Sequence, residues 1–93
     1  MKLRVKYTAQ LRAAIQRNEE VVELPDGSAL SELLIELGQR HESGRSHLMS
    51  ESGQIRGSLM VVVNELAVSP GDAAAIRLND DDVVLLLPPI AGG

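Results

Sequence analysis

Few residues in this sequence of 93 residues could do chemistry by themselves. There is no cysteine and no glycine-rich motif for binding a nucleotide, and both histidines stand in a polar stretch. His41 and His47, with Glu42 and Glu51, could be combined into a metal site, but this spacing is a weak pattern for one. Ser46 precedes His47 without a carboxylate spaced to orient a catalytic histidine. We therefore expect no catalytic residue, no metal site and no bound cofactor.

The C-terminal segment is the one stretch with a clear chemical use. An apolar run, Val83–Leu87, leads into Pro88–Gly93, which reads PPIAGG. Proline cannot donate a hydrogen bond to a sheet and favours extended backbone, so residues 88–93 are predicted to form a flexible tail. Glycine has no Cβ, so Gly92 and Gly93 could pass along a narrow channel into another protein's active site. The predicted reactive group is the terminal carboxylate of Gly93.

Once it is activated, this carboxylate could accept a sulfur or nitrogen nucleophile. A free carboxylate is a poor electrophile, whereas its adenylate is reactive because AMP is a good leaving group. Attack by a persulfide would lead to a thiocarboxylate, and attack by an amine would give an amide bond. Both reactions make the chain a carrier whose catalysis is supplied by another protein. The alternatives that remain are a sulfur carrier, a protein modifier, and an interaction domain whose tail is unreactive.

The composition excludes several other classes of protein. Nine basic and 13 acidic residues give a net charge of −4, and Tyr7 is the only aromatic residue, so the chain lacks the cationic surface and stacking rings that bind nucleic acid. Its apolar runs are too short to cross a bilayer. Met1–Lys6 alternates charged and apolar residues, unlike a signal peptide. We expect a cytoplasmic protein that binds neither nucleic acid nor a membrane.

The apolar pattern of the first half predicts a hairpin followed by one main helix. Residues 2–8 alternate between charged and apolar side chains, and residues 19–24 provide a second strand, with a short helical turn over 9–17 between them. Ser28 suits the N-cap of a helix over residues 29–41. The stripe that faces inward consists of Leu30, Leu33, Leu34, Leu37 and His41.

The second half predicts a long loop followed by three strands. Residues 42–57 are polar and lack a period, so we expect a surface loop anchored by a few apolar side chains. Residues 58–63 and 66–69 predict a second hairpin, and a helical turn follows over 72–78. Val83–Leu87 is apolar throughout, which predicts a strand covered on both faces at the centre of a sheet.

This order of elements predicts an α+β fold with a mixed sheet. Everything between the first and last strands forms a long crossover, so the last strand is expected beside the first and parallel to it. With one helix across one face, the arrangement is the β-grasp, or ubiquitin-like, fold in a single domain of residues 1–93. The acidic turn Asp80–Asp82 is expected to be solvated and to protect the last strand from aggregation.

Several segments resemble the MoaD/ThiS family of sulfur carriers, which are prokaryotic relatives of ubiquitin. The first strand leads into Tyr7–Arg12 (YTAQLR), Val63-Asn64 stands at the central turn, and an acidic turn precedes the last strand. The most specific likeness is Leu86–Gly93 (LLPPIAGG), which is closest to the tail of the small subunit of molybdopterin synthase. The resemblance covers nearly the whole chain in its order of elements.

The resemblance implies a carrier that is not itself an enzyme. An E1-like adenylating enzyme would use ATP and magnesium to activate Gly93, a persulfide would donate sulfur, and Gly93 would carry the resulting thiocarboxylate. The tail would then enter a sulfur-accepting synthase subunit, such as the large subunit of molybdopterin synthase, to serve molybdenum cofactor biosynthesis. The residues expected to enter are Pro88, Pro89, Ile90, Ala91, Gly92 and Gly93.

Two departures from the family pattern bear on the partner and the sulfur recipient. Family members often carry aromatic residues where this chain has Leu86 and Leu87, so we predict an aliphatic partner-binding patch of Thr8, Leu59 and Leu87. The 42–57 segment is longer than in compact molybdopterin subunits and is more similar to carriers for cysteine or secondary metabolites and to archaeal modifiers. Sulfur transfer in cysteine, thiamin or secondary-metabolite biosynthesis, and protein modification, remain alternatives.

Overall fold

The structure is a computed structural model that describes residues 1–88. Predicted features of residues 89–93 therefore lie outside the described residues. The strands are β1 (Lys2–Tyr7), β2 (Glu19–Glu23), β3 (Met60–Val63), β4 (Leu66–Val68) and β5 (Val83–Leu87). The helices are α1 (Ala9–Ile15), α2 (Leu30–Arg40) and α3 (Arg45–Leu48), with 3-10 helices at Glu42–Gly44 and Pro70–Ala75.

The five strands form one mixed sheet in the order β2-β1-β5-β3-β4. The last strand is central, as predicted, and runs parallel to β1, with Tyr7 opposite Leu86. On its other side it runs antiparallel to β3, with Met60 opposite Leu87. The two hairpins, β1–β2 and β3–β4, flank this central strand.

Helix α2 supplies the centre of the hydrophobic core. The predicted stripe is confirmed for its four leucines, which are fully buried: Leu30, Leu33, Leu34 and Leu37. His41, its fifth predicted member, is partly buried just past the end of the helix. The four leucines belong to the same core cluster as the inward side chains of the sheet, such as Val5, Val84 and Leu86. Ile35 lies between these leucines in sequence but is 45% exposed, as its angle on the helix requires.

The start of α2 differs from the prediction. Ser28 is not the N-cap; its hydroxyl donates to the Pro25 carbonyl at 2.7 Å and closes the preceding turn. The N-cap is Ala29, whose backbone N–H is bound by the Glu32 carboxylate at 3.2 Å. Ala29 also bridges to Arg77, so tertiary contact and the first-turn glutamate replace the expected serine cap.

The surface loop predicted over residues 42–57 is not a loop throughout. This segment contains the 3-10 helix and α3, and its side chains Leu48 and Met49 are buried. Gly44 packs so tightly against α1 that an added Cβ would lie 2.7 Å from Ile15 Cγ1. The predicted anchoring by apolar side chains is confirmed, since Met49 bridges to Ile55.

The two faces of β5 have different surroundings. Val84 and Leu86 are buried beneath the helices, whereas Val83, Leu85 and Leu87 are only partly buried. The expectation that both faces would be covered is therefore wrong for the described chain. Pro88, predicted as the first tail residue, is buried and belongs to the body. Within residues 1–88, no helix is long and apolar enough to cross a membrane.

Candidate functional site

The sheet places several predicted residues around Leu87, the last residue of β5. Because β1 and β5 are parallel, their carboxyl ends meet at one edge, with Tyr7 opposite Leu86. Strand β3 begins at the same edge, where Met60 pairs with Leu87. Gly93 and the rest of the tail from Pro89 lie outside the described residues, but the root of the tail is fixed within this edge.

The three residues of the predicted partner patch occupy different surroundings. Leu59 is 1% exposed and packs in the core, so its side chain is not part of the surface in this structure. Thr8 is partly buried, and its hydroxyl donates to the Leu86 carbonyl at 3.0 Å. Leu87 is partly exposed. Contact of these residues with a partner stays a prediction, and Leu87 is the one with the most suitable placement.

An apolar stripe crosses the sheet on the face away from α2. We call this side the open face. Cross-strand neighbours share a face, so Leu87 lies with Met60 and Leu85 lies with Val62. Met60 is 57% exposed. The stripe borders a shallow depression of about 440 Å³ that also includes Val83. Sequence reasoning missed this surface, although alternate residues of β3 and β5 carry the signal.

A row of cationic side chains borders this stripe. Lys2, Arg4 and Lys6 point to the open face of β1, and all three are exposed. Lys6 lies beside Leu85, and Arg4 beside Val83. Within residues 1–88 none of the three forms an ion pair. The open face therefore places this cationic row beside the apolar strip, with Glu23 and Glu19 on β2 opposite Lys2 and Lys6.

Comparison with known families decides the relationship. The model described as the ThiS family matches residues 5–93, which is nearly the whole chain. The chain belongs to the ThiS family. The predicted resemblance to MoaD/ThiS sulfur carriers is thereby confirmed.

Relatives of this ThiS-family chain are carriers and modifiers. Over the full length of both proteins, it is 29% identical to the molybdopterin synthase sulfur carrier subunit of Chlamydomonas reinhardtii. It is 26% identical, again over both full lengths, to small archaeal modifier protein 3 of Haloferax volcanii. These relatives agree with the prediction of a non-catalytic carrier.

A solved structure confirms the fold of this ThiS-family chain. The crystal structure of SAMP1 from Haloferax volcanii superposes with a TM-score of 0.88 at 20% identity, with both chains covered completely. Together with the mixed five-stranded sheet, this likeness confirms the predicted ubiquitin-like β-grasp fold.

A group of polar side chains centred on Glu20 lies on the face of the sheet that packs against the helices. Glu20 on β2 has a side chain only 6% exposed. Its Oε2 accepts from the Tyr7 hydroxyl at 2.5 Å and also contacts His41 Nε2. Its Oε1 lies 3.3 Å from Arg40 and 3.5 Å from Arg17. Glu20 thus joins two strands to the end of α2, and we assign this cluster a structural role.

The surroundings of Glu20 perturb two ionisations. Burial acts to raise the pKa of Glu20, but hydrogen bonds from Tyr7 and His41, the charge of His41 and the hydrogen bond from Arg40 outweigh it. The pKa of Glu20 is therefore held below its usual value. Burial, and then the hydrogen bond to the Glu20 carboxylate, raise the pKa of Tyr7 far above its usual range.

Glu20→Gln is expected to lower the free energy of unfolding by about 1.5–3 kcal/mol near neutral pH, the range for hydrogen bonds to a charged group. The folded-state pKa of Glu20 is lower than the unfolded one, so its ionisation stabilises the fold above pH 4.5, the usual pKa. That stabilisation is lost as the pH falls through the folded-state value. In urea unfolding, the difference in the free energy of unfolding between wild type and variant should therefore become smaller as the pH is lowered.

Glu19→Gln is the matched control for this measurement, because Glu19 is adjacent but exposed. We expect the control to change stability by less than about 0.5 kcal/mol. If the difference in the free energy of unfolding between wild type and Glu20→Gln stays constant down to low pH, the Glu20 charge does not stabilise the fold.

The remaining acidic and histidine residues do not form a site. Asp82 is 8% exposed and accepts hydrogen bonds from the Asn64 side chain and the Asn79 backbone, both at 2.7 Å. The expectation of a fully solvated turn is therefore wrong for Asp82, which ties the β3–β4 turn to the start of β5. In the part of the chain that the structure describes, no three metal-ligating side chains are grouped to hold an ion.

Proposed function

We propose that this chain is a sulfur carrier whose Gly93 carboxylate is adenylated by a partner enzyme and converted to a thiocarboxylate. The observation that carries the proposal is the Pro-Pro-Ile-Ala-Gly-Gly segment directly after the central strand of a ThiS-family domain. The body supplies a rigid base for this segment, since its root lies between β1 and β3. We further propose that the sulfur enters molybdopterin biosynthesis, which the Chlamydomonas reinhardtii carrier subunit favours.

The proposed reaction balances without a reactive side chain of this protein. A carboxylate oxygen of Gly93 attacks the α-phosphorus of ATP, and pyrophosphate leaves with the partner's magnesium. The terminal sulfur of a persulfide then attacks the acyl carbon and displaces AMP. A second thiol of the donor protein cleaves the resulting S–S bond and forms a disulfide, which leaves the thiocarboxylate on Gly93. ATP, magnesium and the persulfide all belong to the partners, which we place with this chain in the cytoplasm.

A protein modifier is the second candidate. Small archaeal modifier protein 3 is 26% identical over the whole chain, which favours this alternative. The adenylate would then be attacked by a lysine amine, releasing AMP and forming an amide bond. The two outcomes share activation at Gly93 and differ only in the nucleophile. Cysteine, thiamin and secondary-metabolite biosynthesis are alternative recipients of the sulfur if the chain is a carrier.

Intact-mass spectrometry tests the proposal directly. The purified chain is incubated with ATP, magnesium, a persulfide donor and each adenylating enzyme from the source genome. The expected product gains the mass of one sulfur in place of one oxygen, and omission of ATP prevents the change. Ladders of heavier conjugates in cell extract would indicate the modifier instead. An unchanged mass with every adenylating enzyme would contradict both candidates.

We propose that the adenylating enzyme docks on the open face. Leu87 and Met60 stand at the root of the tail, so an enzyme that holds Gly93 in its active site approaches this edge of the sheet. The partly exposed stripe offers apolar area for contact. Arg4 lies between Val21 and Val83, with no acidic residue directly opposite it, and so favours an acidic group on the partner, because complementary charge steers association.

Leu85→Asp tests this docking surface. A charge placed in the stripe is expected to raise the KM of the adenylating enzyme for the carrier about 10- to 30-fold, the size of a central interface contact. The side chain is only partly buried, so the fold should persist, as circular dichroism would check. Ile35→Asp is the matched control, because Ile35 is exposed on α2. Equal effects of the two substitutions on KM would exclude the open face as the specific contact.

A further inference from the structure

A side-chain hydrogen bond within this chain holds the end of the last strand, just before the tail. Thr8 follows β1 directly, and its hydroxyl donates to the Leu86 carbonyl at 3.0 Å in a partly buried position. Tyr7 and Leu86 form the last pair of the β1–β5 ladder. The Thr8 side chain therefore continues the contact between these strands one residue past the end of their backbone pairing.

We propose that Thr8 is a positioning residue that sets the direction in which the tail leaves the sheet, an inference that rests on the proposed function for its consequence. Leu87 is held on the β3 side by its pairing with Met60. The next two residues are prolines, which have no N–H to donate to a neighbouring strand. The Thr8 hydroxyl supplies the hold on the β1 side that backbone pairing no longer provides.

The backbone beside Thr8 is anchored at the start of α1. Ala9 has a φ of 50°, in the left-handed region that residues other than glycine rarely occupy. The Thr8 carbonyl accepts from the backbone N–H groups of Leu11 and Arg12, at 3.1 and 3.2 Å, so the start of α1 is anchored on it. Such a conformation persists only where its surroundings enforce it. The backbone of the corner at residues 8–9 is thus held in place beside the Leu86 carbonyl, to which the Thr8 hydroxyl donates.

The consequence for function is a larger fraction of molecules with a correctly directed tail. If the hydrogen bond to Leu86 is lost, the residues at the start of the tail sample several directions. An enzyme that binds only one of these directions then has a lower apparent affinity, in proportion to the fraction of molecules that adopt it. Once bound, the tail is gripped by the enzyme and reacts as before. Loss of the Thr8 hydroxyl should therefore raise KM for the carrier and leave kcat unchanged.

Two single substitutions separate this role from contact with a partner. Thr8→Val keeps the branched shape and removes the hydroxyl, whereas Thr8→Ser keeps the hydroxyl and removes the methyl group. We expect Thr8→Val to raise KM about three- to tenfold, the effect of one neutral hydrogen bond, with kcat unchanged. Thr8→Ser should stay close to wild type. The measurement is the ATP-dependent adenylation rate at varied carrier concentration.

The opposite pattern would overturn the proposal. If Thr8→Val is tolerated and Thr8→Ser is impaired, the methyl group touches the partner and the hydroxyl is incidental. Equal, unchanged KM values for both variants would also contradict a positioning role. A fall in kcat with unchanged KM would place Thr8 in a later step and would exclude the inference in this form.

A second measurement needs no enzyme, so it separates failure of this inference from failure of the proposed function. Backbone hydrogen exchange, followed by NMR, should accelerate at Leu86 and Leu87 in Thr8→Val and remain at the wild-type rate in Thr8→Ser. Exchange in the α2 leucines reports whether the variants are folded. Unchanged exchange at the strand end would overturn the inference even if wild-type adenylation is observed.

Discussion

A chain that ends at Ala91 is expected to be fully folded and to accept neither AMP nor sulfur. Removing Gly92 and Gly93 withdraws the terminal carboxylate by about 7 Å along an extended backbone, which places it beyond the reach of a partner's active site. The free energy of unfolding should change by less than about 0.5 kcal/mol, since glycine has no side chain to pack. Intact-mass spectrometry after reaction and urea unfolding measure the two effects.

Gly93→Ala separates the length of the tail from its width. This variant keeps the reach of the carboxylate and adds one methyl group, so it should fold like wild type and be activated more slowly if the partner's channel is narrow. Conversion of the truncated chain to a heavier product would show that a different carboxylate is the acceptor. A large loss of stability on truncation would show that the last two residues pack against the body.

Leu34→Ala is expected to have the largest effect on stability, about 2–5 kcal/mol. Leu34 is fully buried in α2, and its side chain belongs to the core that joins the helix to the sheet. Its removal forfeits the burial of the side chain and leaves a cavity that close-packed neighbours fill only in part. Urea unfolding of wild type and variant under the same conditions gives the difference.

Ile35→Ala provides a control of nearly the same size at the adjacent position. Ile35 is 45% exposed, and alanine is a better helix former than isoleucine, so the change should lie within about 0.5 kcal/mol of zero. Equal losses for the two variants would mean that the helix is not packed on the sheet as described. A loss at Leu34 below about 1 kcal/mol would lead to the same conclusion.

The sequence allowed the topology to be predicted because its longest patterns are periodic or continuous. The stripe of α2 repeats at helical spacing, and the apolar run Val83–Leu87 marks the central strand, parallel to β1. Residues 42–57 were misread because Leu48 and Met49 are neighbours and establish no period, although both are buried. Ser28 was misread because the sequence does not show that the turn uses its hydroxyl.

The chemistry proposed for the candidate site rests on residue types alone, and its surroundings were predicted only in part. The terminal glycines could be recognised from residue type alone. Val83–Leu87 is apolar throughout, so the sequence does not show which face of β5 is covered by the helices of this chain. The partly exposed stripe on the other face was therefore missed. The Thr8 hydroxyl and the Leu86 carbonyl are 78 residues apart in sequence, and no local pattern joins them. Contacts at such separation depend on the finished sheet.

The placement of the two lysines has a practical consequence for affinity measurements. Lys2 and Lys6 are the only lysines in the sequence, and both project from the same side of β1. The N-terminal amine is engaged by the Leu24 carbonyl and Asp26. Coupling this protein to a biosensor chip through its ε-amines would therefore turn one chosen side toward the matrix. Attachment through an exposed side chain of α2, such as a cysteine introduced at Ile35, would leave that side open to solution.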